Sequence, residues 1–198
     1  LSPELRVIAG KFKGRKLTSS AGDYRPTSAI VKKSLFDILN VDIEDAIFLD
    51  LFAGCGAVGI EAISRGAAFV SFVENDFSRI QILNKNLKSL DISEDFFEII
   101  PSDFTASLSR LAVLGRKYEY VYIDPPYQAY KARRILSETA DSGMLDEESL
   151  IIFESGKLEV RDILSEMPKT LYPVREKIHG STAMIFFRLS TKYADPHA

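Results

Sequence analysis

From residue 46 onward the chain repeats one alternation: a short apolar run, then a segment with helical periodicity. The apolar runs are AIFLDLF (46–52), FVSFVEN (69–75), FEIIPSD (97–103), YVYIDPP (120–126) and SLIIFES (149–155). Helices are expected between them near 57–65, 105–114 and 130–140, and over a segment carrying Ile80, Leu83, Leu87 and Leu90. Spacings of 3, 4 and 3 keep those four side chains on one helical face. The strand runs show continuous apolar stretches rather than polar alternation, the pattern of strands buried on both faces. This predicts an α/β fold, a mostly parallel sheet with helices on both sides. The ending differs, because 170–178 and 182–190 read as consecutive strands around His179-Gly180. An antiparallel hairpin therefore closes the sheet and brings it to seven strands.

The opening has another texture. Leu5 to Leu17 reads as strand, turn and strand, punctuated by Gly10 and Gly14. Residues 19–26 look like a loop, and Thr27 can cap a helix carrying Val31, Leu35, Ile38 and Leu39. The expected organisation is a basic β-hairpin extension over 1–24 and a main domain over 25–198. With 198 residues the chain suits one domain and a small appendage. The net charge of −3 hides an asymmetry. Residues 1–33 hold eight basic side chains against two acidic ones, +6, and the remainder carries −9. A single cysteine excludes an internal disulfide framework and a cysteine-based zinc site, and no metal is expected. There is no apolar run long enough to span a membrane and no secretory pattern at the start, so a cytoplasmic location is expected.

Each of the five alternating strands has an acid at or near its carboxyl end: Asp50, Glu74, Asp103, Asp124 and Glu154. Ligands bind at that edge of open parallel sheets. One acid there is as well explained as a turn former or helix cap. Five together favour a polar ligand with several donors. After Asp50 comes Gly54-Cys55-Gly56-Ala57-Val58-Gly59, a G-x-G-x-x-G pattern between strand and helix. Glu74, 20 residues after the first glycine, is placed to bind a ribose diol. The pattern suits nicotinamide and flavin nucleotides as well as S-adenosylmethionine. Asp50, four residues before the glycines, leans toward the last. A carboxylate repels a pyrophosphate but suits an amino group and a sulfonium. Cys55 reads as a small space-filler, since no positioned base accompanies it.

The fourth strand ends in Asp124-Pro125-Pro126-Tyr127. Two prolines lock the backbone and remove two donors. The turn then offers a carboxylate, a carbonyl and an aromatic ring to one small volume. An exocyclic amine on a nucleobase is a poor nucleophile, because its lone pair is delocalised into the ring. Two acceptors holding its N–H groups favour pyramidal nitrogen, and an aromatic face holds a flipped base by stacking. The bland alternative is a proline-rich turn with an exposed tyrosine.

On these residues the chain resembles the class I S-adenosylmethionine-dependent methyltransferases, and within them the bacterial 16S rRNA guanine-N2 methyltransferases. RVIAGKFKGRKL (6–17), RPTSAIVKKSLFDIL (25–39), DLFAGCGAVGIEAISRGA (50–67) and DPPY (124–127) carry the resemblance. It implies a Rossmann-like methyltransferase fold using S-adenosylmethionine and releasing S-adenosylhomocysteine. Asp50 would hold the methionine amino group through water; Phe52, Gly54 and Gly56 would line methionine and ribose. Glu74 would take the ribose hydroxyls and Asn75 would lie beside the adenine. Asp103 would accept from the adenine amine, flanked by Ser102 and Phe104. Asp124, Pro125, Pro126 and Tyr127 would form the catalytic turn. Lys11, Lys13, Arg15 and Lys16 would contact RNA phosphates, with Arg25 and Thr27 near cofactor and target base. One departure stands out: Val31-Lys32-Lys33 replaces the family's Val-Arg-Glu, reversing a charge at Lys33.

The implied reaction is methyl transfer to the 2-amino group of a guanine in 16S rRNA. The implied partner is the small ribosomal subunit, with ribosomal proteins sharing recognition and a monomer as the default. Rival readings are an adenine or cytosine amine methyltransferase, a nicotinamide-dependent oxidoreductase, and a catalytically silent RNA-binding assembly factor. The oxidoreductase leaves DPPY unexplained; the silent factor leaves Asp50, Glu74 and Asp124 unexplained.

Overall fold

The computed structural model describes residues 4–19, 29–126 and 131–190. Arg25, Thr27 and Tyr127, and with them the cap expected at Thr27, lie outside the described residues. Two compact units follow each other, Leu1–Phe104 and Thr105–Ala198.

In the first unit, helix α1 (Ala29–Leu39) buries Val31, Lys32, Leu35, Phe36 and Leu39. Strand β1 (Ile47–Asp50), helix α2 (Ala57–Ser64), strand β2 (Phe69–Glu74), helix α3 (Phe77–Ser89) and strand β3 (Phe97–Pro101) follow. The strands lie in the order β3-β2-β1, all parallel. Register pairs Asp50 with Phe72 and Glu74 with Pro101, so the carboxyl ends of all three strands share one edge. Helix α2 is buried at every residue, consistent with the close strand–helix packing its glycines allow. Helix α3 begins with Asp76 as its cap, accepting from the N–H groups of Ser78 (2.8 Å) and Arg79 (3.1 Å).

Helix α4 (Phe104–Leu114) starts at the boundary. The second unit continues with β4 (Tyr120–Ile123), α5 (Ala132–Ala140), β5 (Leu150–Gly156), α6 (Val160–Glu166), β6 (Leu171–His179) and β7 (Thr182–Leu189). Here the order is β4-β5-β7-β6. Strand β4 is parallel to β5, while β7 is antiparallel to both β5 and β6. The seven strands are thus those of the expected mixed sheet, mostly parallel and ending in an antiparallel pair. Gly180, at φ +59°, makes the turn between β6 and β7. Strand β6 is exposed along most of its length, and Pro173, Arg175 and Lys177 mark it as an edge that resists further pairing.

Glu154 stands near the carboxyl end of β5 as expected, one residue past the Ile123–Phe153 pair, and its carboxylate accepts from the Tyr122 hydroxyl. The opening hairpin has one bridge pair, Arg6 with Lys16, rather than two full strands. Backbone bonds cross the hairpin from Val7 N–H to Arg15 O (3.0 Å), Gly14 N–H to Val7 O (2.8 Å) and Leu17 N–H to Leu5 O (2.9 Å), while Ile8 and Ala9 N–H donate to Glu61, Phe12 N–H to Ser64 Oγ, and Thr18 N–H to Asn86 Oδ1. Side chains of α2 and α3 thus satisfy the donors that face away from the opposite arm.

Candidate active site

The loop after β1 and the first turn of α2 show why this stretch carries three glycines. Gly54 (φ +55°) and Gly56 (φ +81°) adopt left-handed conformations that glycine tolerates. A Cβ on Gly54 would meet nothing within 4 Å, so a ligand can approach the backbone there. A Cβ on Gly56 would strike the Leu83 side chain, and one on Gly59 would strike the Phe72 ring. One glycine thus opens the loop and two let helix α2 close onto its neighbours.

Asp50 is buried, 2% exposed, at the end of β1. Its Oδ2 accepts from Gly59 N–H at 3.0 Å. The helix cap itself, Gly56, has no side chain to offer, so Asp50 supplies the acceptor for the first turn of α2. Burial pushes its carboxyl up to about 7; the Gly59 bond opposes this, and the nearby Glu74 charge adds to it. A buried acid held near neutrality at a ligand edge is suited to meet a cation.

Glu74 ends β2, 6% exposed. Its Oε2 accepts from Gly54 N–H at 2.8 Å, and its Oε1 accepts from Asn75 and Asp76 N–H, both at 2.9 Å. With two lone pairs per oxygen, Oε2 retains capacity for one more donor, such as a hydroxyl. Three further contacts tie the loops of this edge together. Ala53 N–H donates to Val73 O (2.9 Å), Ser102 N–H donates to Glu74 O (3.2 Å), and Phe52 stacks on Phe104 with ring centres 5.9 Å apart. Phe104 is buried, Phe52 and Ser102 are half-buried, and Asn75 and Asp103 are exposed. The structure therefore gathers Asp50, Phe52, Gly54, Gly56, Glu74, Asn75, Ser102, Asp103 and Phe104 around the carboxyl ends of β1, β2 and β3. Cys55 is buried, and its carbonyl accepts from Asn86 Nδ2 at 2.9 Å, a packing role.

In the second unit Asp124 and Pro125, both half-buried, and Pro126, exposed, leave the end of β4. Of the hairpin cations, Lys11, Lys13, Arg15 and Lys16 are all exposed. Lys16 pairs with Glu4 (2.5 Å), Arg15 donates to Ser89 O (2.5 Å), and Lys11 lies over the Phe12 ring (5.3 Å). Lys33 is exposed and pairs with Asp37 one turn on, so its reversed charge is met on α1 itself. The sequence reading passed over Glu61, which is fully buried with Lys32 at 3.4 Å. A charge inside a helix apolar on all sides is the signal that marks such a residue. Among the described residues no group of three or more His, Cys, Asp or Glu side chains could hold a metal, and no helix is long and apolar enough to cross a membrane.

Residues 5–188 match the family model described as conserved hypothetical protein 95. The chain is 36% identical over 183 residues to the ribosomal RNA small subunit methyltransferase D of Escherichia coli, covering 92% of this chain and 88% of that protein. A solved Escherichia coli structure described as a methyltransferase superposes with a TM-score of 0.81 at 32% identity, covering 94% of this chain and 98% of that one. A Thermus thermophilus 16S rRNA N2 G1207 methyltransferase, solved with S-adenosylmethionine and guanosine, has a TM-score of 0.68 at 18% identity, covering 94% of this chain and 50% of that one. At that identity the likeness speaks for the fold alone. The chain belongs to the conserved hypothetical protein 95 family, in the ribosomal RNA small subunit methyltransferase D group of class I methyltransferases.

Proposed function

We propose that the chain methylates the exocyclic 2-amino group of one guanine in 16S rRNA, using S-adenosylmethionine. The observation that carries this reading is the edge built by Asp50, Gly54 and Glu74: a near-neutral buried acid, an open glycine backbone and a ribose-type acceptor. That donor and acceptor set fits an amino acid joined to a nucleoside and does not fit a pyrophosphate. Membership of an rRNA methyltransferase group and the Asp124-Pro125-Pro126-Tyr127 turn support the rRNA amine as acceptor.

Asp50 binds the cationic amino group, and Glu74 accepts from the ribose through the remaining capacity of Oε2. Phe52 and Phe104 wall the edge, Asn75 borders the adenine, and Asp103 accepts from its amine with Ser102 beside it. Bound S-adenosylmethionine supplies an electrophilic methyl group, which the guanine nitrogen takes up as the sulfur–carbon bond breaks. Asp124 and the Pro125 carbonyl accept the two amine hydrogens and direct the lone pair. Pro126 keeps the turn rigid, and Tyr127 stacks on the extruded base. The proton leaves the nitrogen to Asp124 or to water. Most of the protein's contribution is positioning.

Residues 1–24 act as the basic extension of the methyltransferase domain, 25–198. Lys11, Lys13, Arg15 and Lys16 bind phosphates, and the resemblance implies that Arg25 and Thr27 serve the cofactor and target base. The acidic remainder of the chain fits a subunit substrate in which ribosomal proteins share recognition. The reading is tested by supplying labelled S-adenosylmethionine with undermethylated small subunits, protein-free 16S RNA and duplex DNA in parallel. Label in the subunits above that in the other two supports it. Label only in DNA overturns it.

A further inference from the structure

The Glu61 carboxylate is surrounded by donors from three parts of the first unit. Oε2 accepts from Ile8 N–H (2.7 Å) and Lys32 Nζ (3.4 Å); Oε1 accepts from Ala9 N–H (2.9 Å) and Arg65 Nε (2.9 Å). The Glu61 and Lys32 side chains are both fully buried. Lys32 Nζ also donates to Arg6 O (2.9 Å) and Ala57 O (3.4 Å), so one ammonium joins the hairpin, α1 and α2. Arg65 lies over the Phe36 ring at 4.8 Å. One turn along α2, Ser64 Oγ accepts from Phe12 N–H (3.0 Å) and donates to Ala9 O (2.5 Å), and Ser64 O accepts from Lys11 N–H (2.7 Å). Gly10, at φ +76°, passes so close that a Cβ there would fall on the Ser64 carbonyl.

A hydrophobic pair would hold α1 to α2 at lower desolvation cost than this ion pair. What an apolar pair could not do is satisfy two consecutive hairpin N–H groups and the Arg6 carbonyl. The network is therefore aimed at the hairpin. The hairpin in turn displays Lys11, Lys13, Arg15 and Lys16 outward, while the ends of the same turn are pinned from beneath.

We propose that Glu61, with Lys32 and Ser64, is a positioning residue for RNA: it clamps the basic hairpin on helix α2 so that its cations meet phosphates already ordered. This rests on the reading of the hairpin as an RNA contact. Without the clamp the same cations remain, but their ordering is charged to each binding event.

The test compares Glu61→Gln, Ser64→Ala and Gly10→Ala in the full chain. Ser64→Ala and Gly10→Ala loosen the dock without leaving a buried charge unpaired, so they decide the matter if Glu61→Gln does not fold. Amide exchange at Ile8 and Ala9 reports the dock itself. The expected result is loss of that protection, KM for RNA raised about tenfold, as for one or two long side chains ordered on binding, and cofactor affinity and kcat within about twofold. The loss of affinity caused by the Lys11→Glu/Lys13→Glu double change should also shrink in the Ser64→Ala background, a coupling that general destabilisation does not produce. RNA affinity unchanged in variants whose Ile8 and Ala9 amides exchange freely would overturn the proposal. Direct RNA binding keeps this separate from the reaction: a wild type that binds RNA without methylating it fails the functional reading and leaves the clamp standing.

Discussion

At the scale of single residues, Asp50 is the most informative group. Its folded-state pKa of about 7 lies above the ordinary 3.8. Ionisation therefore disfavours the fold: the stability this carboxyl contributes is full below about pH 4 and is lost as pH rises through about 7. Asp50→Asn removes that dependence. Denaturant melts of both proteins should diverge by about 3 kcal/mol in favour of the variant between pH 4.5 and 8. Cofactor binding should show the opposite preference, because a cation beside Asp50 favours its ionised form. Titration calorimetry should find affinity for S-adenosylmethionine rising with pH through about 7 with proton release, and Asp50→Asn should bind weakly at every pH. Parallel stability curves for wild type and variant would remove the assigned burial cost. Asp124 is proposed for a different step. Asp124→Ala should leave cofactor affinity unchanged while lowering methyl transfer about a hundredfold or more. Equal losses of binding and turnover would place it in the cofactor site instead.

At the scale of elements, the three glycines of the loop after β1 and the first turn of α2 separate by role. Gly59→Ala drives a methyl into the Phe72 ring and should cost about 1–3 kcal/mol of stability in thermal or denaturant melts. Gly54→Ala meets open space and should cost about 1 kcal/mol, from its left-handed backbone alone, yet weaken cofactor binding. If the two variants lost stability and affinity in the same proportion, the division of roles would be wrong. The sequence made β1 to β5 legible because uninterrupted apolar runs have few other homes, and α3 because Ile80, Leu83, Leu87 and Leu90 keep one face. Helix α6 was not legible: it has seven residues and buries only Val160 and Ile163, too few for a period to show. The opening hairpin is legible as two arms around a turn, but the shortness of its regular pairing is not, because composition does not say which backbone donors go to Glu61, Ser64 and Asn86 instead. Glu61 and Lys32 were missed as a pair for a related reason. Yet Lys32 shares its face of α1 with Leu35, Phe36 and Leu39, and Glu61 sits in a helix buried at every residue. A lone charge in such a place calls for a partner, and the spacing alone does not say which.

At the scale of the whole molecule, charge is divided as chemistry would divide it. The first 33 residues carry +6 and the rest −9, so the proposed long-range attraction to RNA would rest on the opening segment. Neutralising Lys11 and Lys13 together should flatten the slope of log binding constant against log salt by about 1.4 for single-stranded RNA and leave cofactor affinity unchanged. A slope equal to wild type would take the hairpin out of the RNA interface. The fold and the proposed cofactor edge rest only on local patterns: strand, glycine turn, helix, and an acid at the next strand end. The substrate needed the Asp124-Pro125-Pro126-Tyr127 turn and a family resemblance, since nothing in the spacing of an amine-directed turn distinguishes guanine from adenine.

The central claim is therefore best met by the chemistry of the product. Undermethylated small subunits are incubated with the protein and labelled S-adenosylmethionine, the RNA is digested to nucleosides, and the labelled species is identified. The expected result is N2-methylguanosine at a single position of 16S rRNA, lost when Asp124→Ala replaces the wild type. Label recovered as a methylated adenosine or cytidine, or as N2-methylguanosine made equally well by Asp124→Ala, would contradict it.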